Sequence, residues 1–254
     1  MSTSGHGSNI WAEAQGERYI RPLDGQCWRI VESQRQVATV SITSSLESQA
    51  VLEELLETHS KPPLPPAAAD LHYLLGSPFR YPPLLWGSRF GRHFEPGIFY
   101  GAVQIDTALA ECAFYRFVYL SGMDTPPPNR IDTQHTAFTL RYSCERAVLL
   151  QQPPFNRYPS LSSPSSYRDS QALGSEMREL GVQLAQYVSA RDRCGGINVA
   201  IFDPTALVSR RPARETGIYS QATIDRVEFK VGSRLYQFAR SQFEVDGRLP
   251  MPPS

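Results

Sequence analysis

The chain has 254 residues, of which 41% are hydrophobic and 20% are charged. This composition is that of a globular protein with a substantial core, and the length suits one domain with short extensions. The 25 lysine and arginine residues are balanced by 25 aspartate and glutamate residues. The chain therefore lacks the positive excess that binds a phosphate backbone, and we expect no direct nucleic-acid partner.

The reactive side chains show no metal-binding or redox pattern. The cysteines are far apart and form no C-x-x-C pair, and no histidine belongs to an H-E-x-x-H motif. No apolar run reaches the roughly 18 residues that a transmembrane helix needs, and the first residues lack the layout of a signal peptide. These features predict a cytoplasmic protein with reduced thiols, no metal and no membrane contact.

The composition of the first residues predicts a flexible N-terminal segment. Residues 1–26 begin with small polar side chains and are interpreted as a flexible N-terminal segment. The stretch CWRIVESQRQVATV, residues 27–40, has the aromatic and β-branched content of a strand followed by a connection. The fold is therefore expected to begin near Trp28.

A capping box predicts the first helix. Ser44 and Glu47 have the spacing of a capping box, in which each side chain accepts a hydrogen bond from the backbone N–H of the other residue. This indicates a helix from about Ser45 to His59. The prolines of KPPLPP, residues 61–66, end this helix because proline cannot donate a backbone hydrogen bond. We treat residues 44–70 as a helical insertion.

A strand and a helix follow in the middle of the chain. The short apolar run IFYGAV, residues 98–103, predicts a buried strand that carries Tyr100. Asp106 stands in the position of a helix cap before Thr107–Leu120, which predicts a helix that carries Glu111.

The second half alternates between strands and helices without a strict βαβ order, and no internal repeat is visible. Residues 135–143, 145–152, 197–203 and 227–231 are predicted strands, 153–168 is a proline- and serine-rich loop, and 169–180 is a helix. Residues 246–254 are interpreted as a C-terminal tail. The expected organisation is thus a single domain over residues 27–245.

Glu111 is an unusual residue for its position. It and Arg116 are the only charges in a helix that is apolar almost all round, so the helix is expected to be buried. A buried carboxylate is costly unless it is paired or hydrogen-bonded. Two interpretations follow: a structural ion pair with an arginine, or a carboxylate held at the base of a pocket.

Arg89, Tyr100 and Glu111 follow one another at intervals of eleven residues. Taken singly, Arg89 would be a solvated loop charge and Tyr100 a core aromatic. Together, a planar guanidinium, an aromatic face and a carboxylate suit a ligand with phosphates, a flat heterocycle and a ribose. The carboxylate would stabilise positive charge that develops on the sugar during glycosyl transfer.

The block SRF...GIFYGA...TALAE, from Ser88 to Glu111, resembles the RES-domain family, the toxins of Xre/RES toxin–antitoxin pairs. Upstream, CWRIVES is similar to the opening strand of the family and aligns Arg29 with its first arginine. Arg80 in SPFRYPP is an alternative for that role. Downstream, QYVSARD resembles the segment that supplies the serine of the family, which implies Ser189 for that role. GINVAIFD is similar to the closing strand of the family, which implies Asn198 as a ligand-binding residue.

The resemblance implies an α+β fold like that of ADP-ribosyltransferases, with a mixed or antiparallel β core and flanking helices. It also implies NAD as the substrate. Arg29 and Arg89 would contact the diphosphate or its ribose, and Tyr100 would pack on the nicotinamide side. Glu111 would support an oxocarbenium-like ribose, and Ser189 would hydrogen-bond the nicotinamide ribose or amide.

The resemblance further implies NAD degradation that stops growth when an Xre-type antitoxin does not cover the cleft. Inorganic phosphate as acceptor would make the protein an NAD phosphorylase, water a glycohydrolase, and a protein side chain a mono-ADP-ribosyltransferase. The sequence does not separate these, and a non-catalytic binding protein of the same fold is a further alternative. No resident cofactor is expected, and the oligomeric state, a homodimer included, stays open.

Overall fold

The computed structural model describes residues 9–33, 62–125 and 129–250. These residues form four α-helices and eight β-strands. The helices are Ile10–Ala14 (α1), Tyr73–Arg80 (α2), Ile105–Ser121 (α3) and Arg168–Glu179 (α4). The strands are Arg21–Glu32 (β1), Phe99–Ala102 (β2), Ile131–Leu149 (β3), Leu184–Val188 (β4), Ile197–Ile201 (β5), Ala213–Ala222 (β6), Arg226–Val231 (β7) and Arg234–Ala239 (β8).

The strands form one sheet in the order β1-β2-β5-β4-β3-β6-β7-β8, and β1 pairs with β3 as well. The β3–β4 pair is parallel, whereas the other pairs are antiparallel. Because β1 returns to β3, the first five strands of this order close on themselves, and β6, β7 and β8 extend from β3 as a meander. This largely antiparallel α+β architecture confirms the predicted fold class.

Strand β3 links the closed part to the meander. Its first half pairs with β6 and its last three residues pair with β4, while β1 runs along its other edge. The prediction of two strands, 135–143 and 145–152, was therefore wrong in dividing it. The polar residues near Cys144 do not turn the chain, because β1 pairs with β3 on both sides of that position.

Helix α3 packs on the sheet and contacts β1, β2, β5 and β7. Its apolar residues, among them Phe114 and Phe117, join a buried cluster with side chains of β6 and β7. The helix begins earlier than predicted. Gln104 occupies the cap position and makes no side-chain cap bond, so the assignment of Asp106 as the cap was wrong. Asp106 lies in the first turn, where its carboxylate interacts favourably with the positive end of the helix dipole.

The described residues near both ends of the chain, from residue 9 and up to residue 250, are more ordered than expected. Ile10, Trp11 and Ala14 of α1 are buried in a cluster that includes side chains of α4, and β1 starts at Arg21. The prediction of a flexible segment over 1–26 was thus wrong for residues 9–26. Near the other end, Leu249 is buried against the α3 cluster, so the expected tail is packed at that residue.

Other elements differ mainly in their bounds. The predicted strands at 98–103, 197–203 and 227–231 correspond to β2, β5 and β7, and the helix at 169–180 corresponds to α4. The loop 153–168 contains two short 3-10 helices, Phe155–Arg157 and Pro159–Ser162. Helix α2 and strands β4, β6 and β8 were not predicted. The predicted helix at 45–59 lies outside the described residues. Within the described ranges, no helix has the length and apolar character needed to cross a membrane.

Candidate active site

A cavity of about 390 Å³ opens between β1, β2, β5 and α3. Five of the six side chains predicted for the site line it, and Ser189 is the exception. The lining residues that carry a charge or a polar or aromatic side chain are Trp28, Arg29, Ser88, Arg89, Tyr100, Glu111, Cys112, Tyr115, Tyr167, Tyr187 and Asn198. The fold therefore gathers residues from seven separate parts of the chain around one cavity.

Glu111 is held by two side-chain donors. Ser189 Oγ donates to Glu111 Oε1 at 2.6 Å, and Asn198 Nδ2 donates to the same oxygen at 2.5 Å. Among the described residues no arginine forms an ion pair with Glu111, and Arg116 instead pairs with Glu32 at 3.2 Å. The arrangement matches a carboxylate fixed at a pocket wall, and differs from a structural ion pair.

Ser189 follows the last residue of β4 and lies behind Glu111. Its hydroxyl oxygen accepts hydrogen bonds from the backbone N–H groups of Arg191 and Asp192, both at 3.1 Å, while its proton goes to Glu111. A hydroxyl has one donor and two acceptor sites, so all its capacity is used. The structure thus leaves no hydrogen bond of Ser189 for the ligand contact that the resemblance implied.

Asn198 lies on β5 between β2 and β4, opposite Ala102 and Tyr187. It is only 2% exposed, and its amide nitrogen is committed to Glu111. Its Oδ1 atom is buried without a hydrogen-bond partner among the described residues. A buried unpaired acceptor is unfavourable, so a donor on a bound ligand would satisfy it.

Arg29 projects from β1 into the cavity. Its Nη1 donates to the carbonyl oxygen of Tyr100 at 2.7 Å, and its guanidinium carbon lies 4.7 Å from the centre of the Phe99 ring. Burial lowers the pKa of Arg29 to about 10, so it remains a cation at neutral pH. Arg80, the alternative for this role, ends α2 and does not line the cavity. The structure therefore brings Arg29 to the site.

Arg89 is fixed by the segment between β3 and α4. Its Nη1 donates to the carbonyl oxygens of Leu161 at 3.3 Å and Ser163 at 2.9 Å. Its guanidinium carbon lies 4.7 Å from the centre of the Tyr167 ring, a distance typical of a cation–π contact. Arg89 is 8% exposed. A buried cation held on one side by carbonyl oxygens has its remaining N–H groups available for an anion.

Tyr100 fixes the turn that carries Arg89. Its hydroxyl accepts a hydrogen bond from the backbone N–H of Phe90 at 3.0 Å and lies 2.9 Å from Ser88 Oγ. Burial raises the pKa of Tyr100 to about 12, so the phenol stays neutral. The eleven-residue interval thus links a turn, the strand beneath it and the next helix, all facing one cavity.

The aromatic wall of the cavity was missed by the sequence interpretation. Tyr115 stands four residues after Glu111 and so shares its helix face, a relation that helical periodicity could have revealed. Tyr167 and Tyr187 come from distant segments and carried no local signal. Burial raises the pKa of Cys112, also at this wall, to about 12, which makes its thiol unreactive.

No group of three histidine, cysteine, aspartate or glutamate side chains suited to a metal occurs in the described residues. The cavity is lined by one carboxylate, two guanidinium groups and four tyrosines. That set can bind an anionic ligand and stabilise a cationic centre beside Glu111.

We compared the chain with curated proteins, solved structures and protein-family models. Among curated proteins no match is found. A chain of the M. tuberculosis MbcT–MbcA toxin–antitoxin complex superposes over 85% of this chain and 94% of its own length, with 11% identity and a TM-score of 0.47. The model of the RES domain matches residues 64–221, which include Arg89, Tyr100, Glu111, Ser189 and Asn198. The chain therefore belongs to the RES-domain family.

Proposed function

We propose that this protein is the toxin of a toxin–antitoxin pair and that it cleaves the bond between nicotinamide and ribose in NAD. Membership of the RES-domain family supports the toxin role. The observation that carries the chemistry is Glu111, a carboxylate at the cavity wall that Ser189 and Asn198 hold in one orientation. The buried Arg89 and the half-buried Arg29 line the same cavity.

The arginines provide the affinity for the diphosphate. Arg29 and Arg89 are each bound through Nη1 to backbone carbonyl oxygens, so their guanidinium planes are oriented before a ligand arrives. An oriented guanidinium loses less side-chain entropy on binding phosphate than a free one. No glycine-rich phosphate motif is needed for this binding.

Glu111 acts on the sugar. As the glycosidic bond breaks, its electron pair goes to the pyridinium nitrogen, nicotinamide leaves as a neutral molecule, and positive charge develops on the ribose. A fixed carboxylate beside that charge stabilises the transition state more than the ground state. Because both donors bind Glu111 Oε1, the carboxylate does not have to reorient when the charge appears.

The acceptor in our proposal is inorganic phosphate. An oxygen of phosphate forms the new bond to the anomeric carbon, so the products are nicotinamide and ADP-ribose phosphorylated on that carbon. The family resemblance is the reason for choosing phosphate. Water or a protein side chain would use the same cavity and the same Glu111 chemistry, and each yields a different product.

Exposed apolar side chains close in sequence to Arg89 support a protein partner. Leu84 is 77% exposed, Leu85 79% and Phe94 67%, and they flank the turn that carries Arg89. Contiguous exposed apolar side chains favour a protein contact. We propose an Xre-type antitoxin that covers these side chains and the cavity mouth in the cytoplasm.

The decisive experiment incubates purified protein with NAD in buffers with and without phosphate and separates the products by chromatography and mass. Nicotinamide and phosphorylated ADP-ribose that require both phosphate and Glu111 would support the proposal. We expect Glu111→Gln to reduce NAD consumption by at least about 100-fold, as for the loss of a transition-state contact, with an unchanged melting temperature. Free ADP-ribose indicates a glycohydrolase, and intact NAD with the wild type overturns the catalytic proposal.

A further inference from the structure

The 189–196 loop, which joins β4 to β5, is attached to helix α3 on both sides of Glu111. Four residues before Glu111, the hydroxyl of Thr107 donates to Asp192 Oδ2 at 2.8 Å. Three residues after Glu111, the centre of the Phe114 ring lies 3.4 Å from the guanidinium carbon of Arg191. The loop and the helix that carries the carboxylate therefore form one unit.

The first attachment is buried and closely fitted. Thr107 is fully buried, and Asp192 uses both of its oxygens, since Oδ1 accepts the backbone N–H of Cys194 at 2.9 Å. A β-carbon on Gly196 would collide with the hydroxyl of Thr107 and with the carboxylate of Asp192. Only glycine permits this approach, which indicates that the loop must lie directly against α3.

The attachments determine where the hydroxyl of Ser189 points. Its two acceptor sites are filled by the backbone N–H groups of Arg191 and Asp192, the two residues that hold the loop to α3. With both acceptor sites occupied, its single proton is directed to Glu111. The position of Asp192 thus sets the hydrogen bond that orients the carboxylate.

We infer that Thr107, Asp192 and Arg191 are positioning residues, which through Ser189 hold Glu111 in its reactive orientation. Ser189 itself is a positioning residue and does not contact the ligand. This inference rests on the proposed function, because the orientation matters only if Glu111 stabilises charge on a bound sugar. A carboxylate misplaced by about 1 Å loses much of its catalytic effect while the ligand still binds.

The test compares Thr107→Val, which keeps the shape and removes the hydroxyl, with Thr107→Ser, which keeps the hydroxyl. We expect Thr107→Val to lower kcat by roughly tenfold and to leave KM within about twofold, whereas Thr107→Ser stays close to the wild type. Thr205→Val is the control, since it removes a hydroxyl that accepts from Gln183 outside the cavity. Equal kcat in Thr107→Val and the wild type, or equal losses in Thr107→Val and Thr107→Ser, would overturn the inference.

A second measurement is independent of activity. Hydrogen exchange of the Arg191 and Asp192 amides, which donate to Ser189, should become roughly tenfold faster in Thr107→Val and remain slow in Thr107→Ser. Unchanged exchange in Thr107→Val contradicts the inference. If wild-type protein leaves NAD intact, the proposed function fails, and the positioning role is judged on exchange alone.

A further variant covers the case in which Thr107→Val does not fold. Asp192→Ala removes the whole carboxylate, so the bonds to the Thr107 hydroxyl and to the Cys194 amide are both lost. We expect the same pattern of lower kcat, unchanged KM and faster exchange. Wild-type values in this folded variant would also overturn the inference.

Discussion

The hydroxyl oxygen of Tyr100 lies 2.9 Å from Ser88 Oγ, and it also accepts the backbone N–H of Phe90. Strand β2 therefore fixes both neighbours of Arg89. The phenol is neutral, since burial raises its pKa to about 12. The tyrosine of this site thus supports an arginine as well as lining the cavity.

We expect Tyr100→Phe to weaken NAD binding more than it weakens the fold. Loss of the hydroxyl frees the turn that orients Arg89, so KM should rise several-fold, while the free energy of unfolding falls by about 1 to 2 kcal/mol. Steady-state kinetics and urea denaturation measure the two effects. Tyr142→Phe is the matched control, because that buried hydroxyl accepts from Gln186 outside the cavity. Equal kinetic losses in both variants would contradict the role of Tyr100.

Arg89→Lys keeps the positive charge and loses the planar fork. Arg89 binds the carbonyl oxygens of Leu161 and Ser163 through Nη1 alone and has two further nitrogens at other positions, whereas lysine has a single nitrogen, so KM for NAD should rise by about tenfold. Arg146→Lys is the control, since Arg146 donates to two carbonyl oxygens, those of Leu180 and Gly181, outside the cavity. A wild-type KM in Arg89→Lys would argue that Arg89 serves the fold alone.

His135 should make the protein sensitive to acid. Burial, followed by the nearby Arg116, lowers its pKa from 6.5 to about 4 in the folded state. Between pH 6.5 and 4 the imidazole is protonated in the unfolded chain but still neutral in the folded protein. The free energy of unfolding is therefore highest above pH 6.5 and decreases as the pH falls toward 4. The full effect is about 3 kcal/mol in the free energy of unfolding.

Urea denaturation at several pH values between 7.5 and 4 measures this effect. His135→Gln should lose less stability than the wild type over that range, whereas exposed His93→Gln should follow the wild type. Parallel curves for the wild type and His135→Gln would disprove the assignment.

Gly174 allows helix α4 to pack against the turn at the cavity. A β-carbon at this position would collide with the carbonyl group of Phe90, which is backbone and cannot rotate away. Gly174→Ala should therefore lower the free energy of unfolding by about 2 kcal/mol or more. Gly217→Ala is the control, because a β-carbon there meets nothing within 4 Å. Equal melting temperatures of the two variants would contradict this packing.

The exposed stretch that contains Leu84 and Leu85 should bind the antitoxin. Replacing both leucines by serine should leave NAD consumption unchanged and reduce antitoxin binding by at least about tenfold, as for the loss of an interface core. Leu235→Ser, on the exposed strand β8, is a control of similar exposure. If the antitoxin still inhibits the double variant completely in cells, the antitoxin binds to a different surface.

Much of the site could be predicted from local patterns. The apolar run at β2 and the apolar helix after it placed Tyr100 on a strand and Glu111 on a helix, and both positions agree with the structure. Short-range periodicity governs these elements, because it decides which side chains face the core. The resemblance to the RES-domain family, which the family match confirms, rested on the same block.

The N-terminal helix, the single long strand β3 and the aromatic wall needed the tertiary structure. A helix of five residues such as α1 has too little intrinsic stability to be recognised by its pattern, and it forms because Trp11 is buried against the fold. Strand β3 continues through polar residues because β1 pairs with it along its length.

The sequence by itself determined which residue types carry the chemistry and on which local elements they stand. The tertiary structure alone decided what they contact. Glu111 is bound by Ser189, 78 residues away, and by Asn198, 87 residues away. Contacts at such separations form only when the sheet brings β4, β5 and α3 together, and no local pattern encodes that arrangement. For this reason no local pattern predicted the hydrogen bond from Ser189 to Glu111.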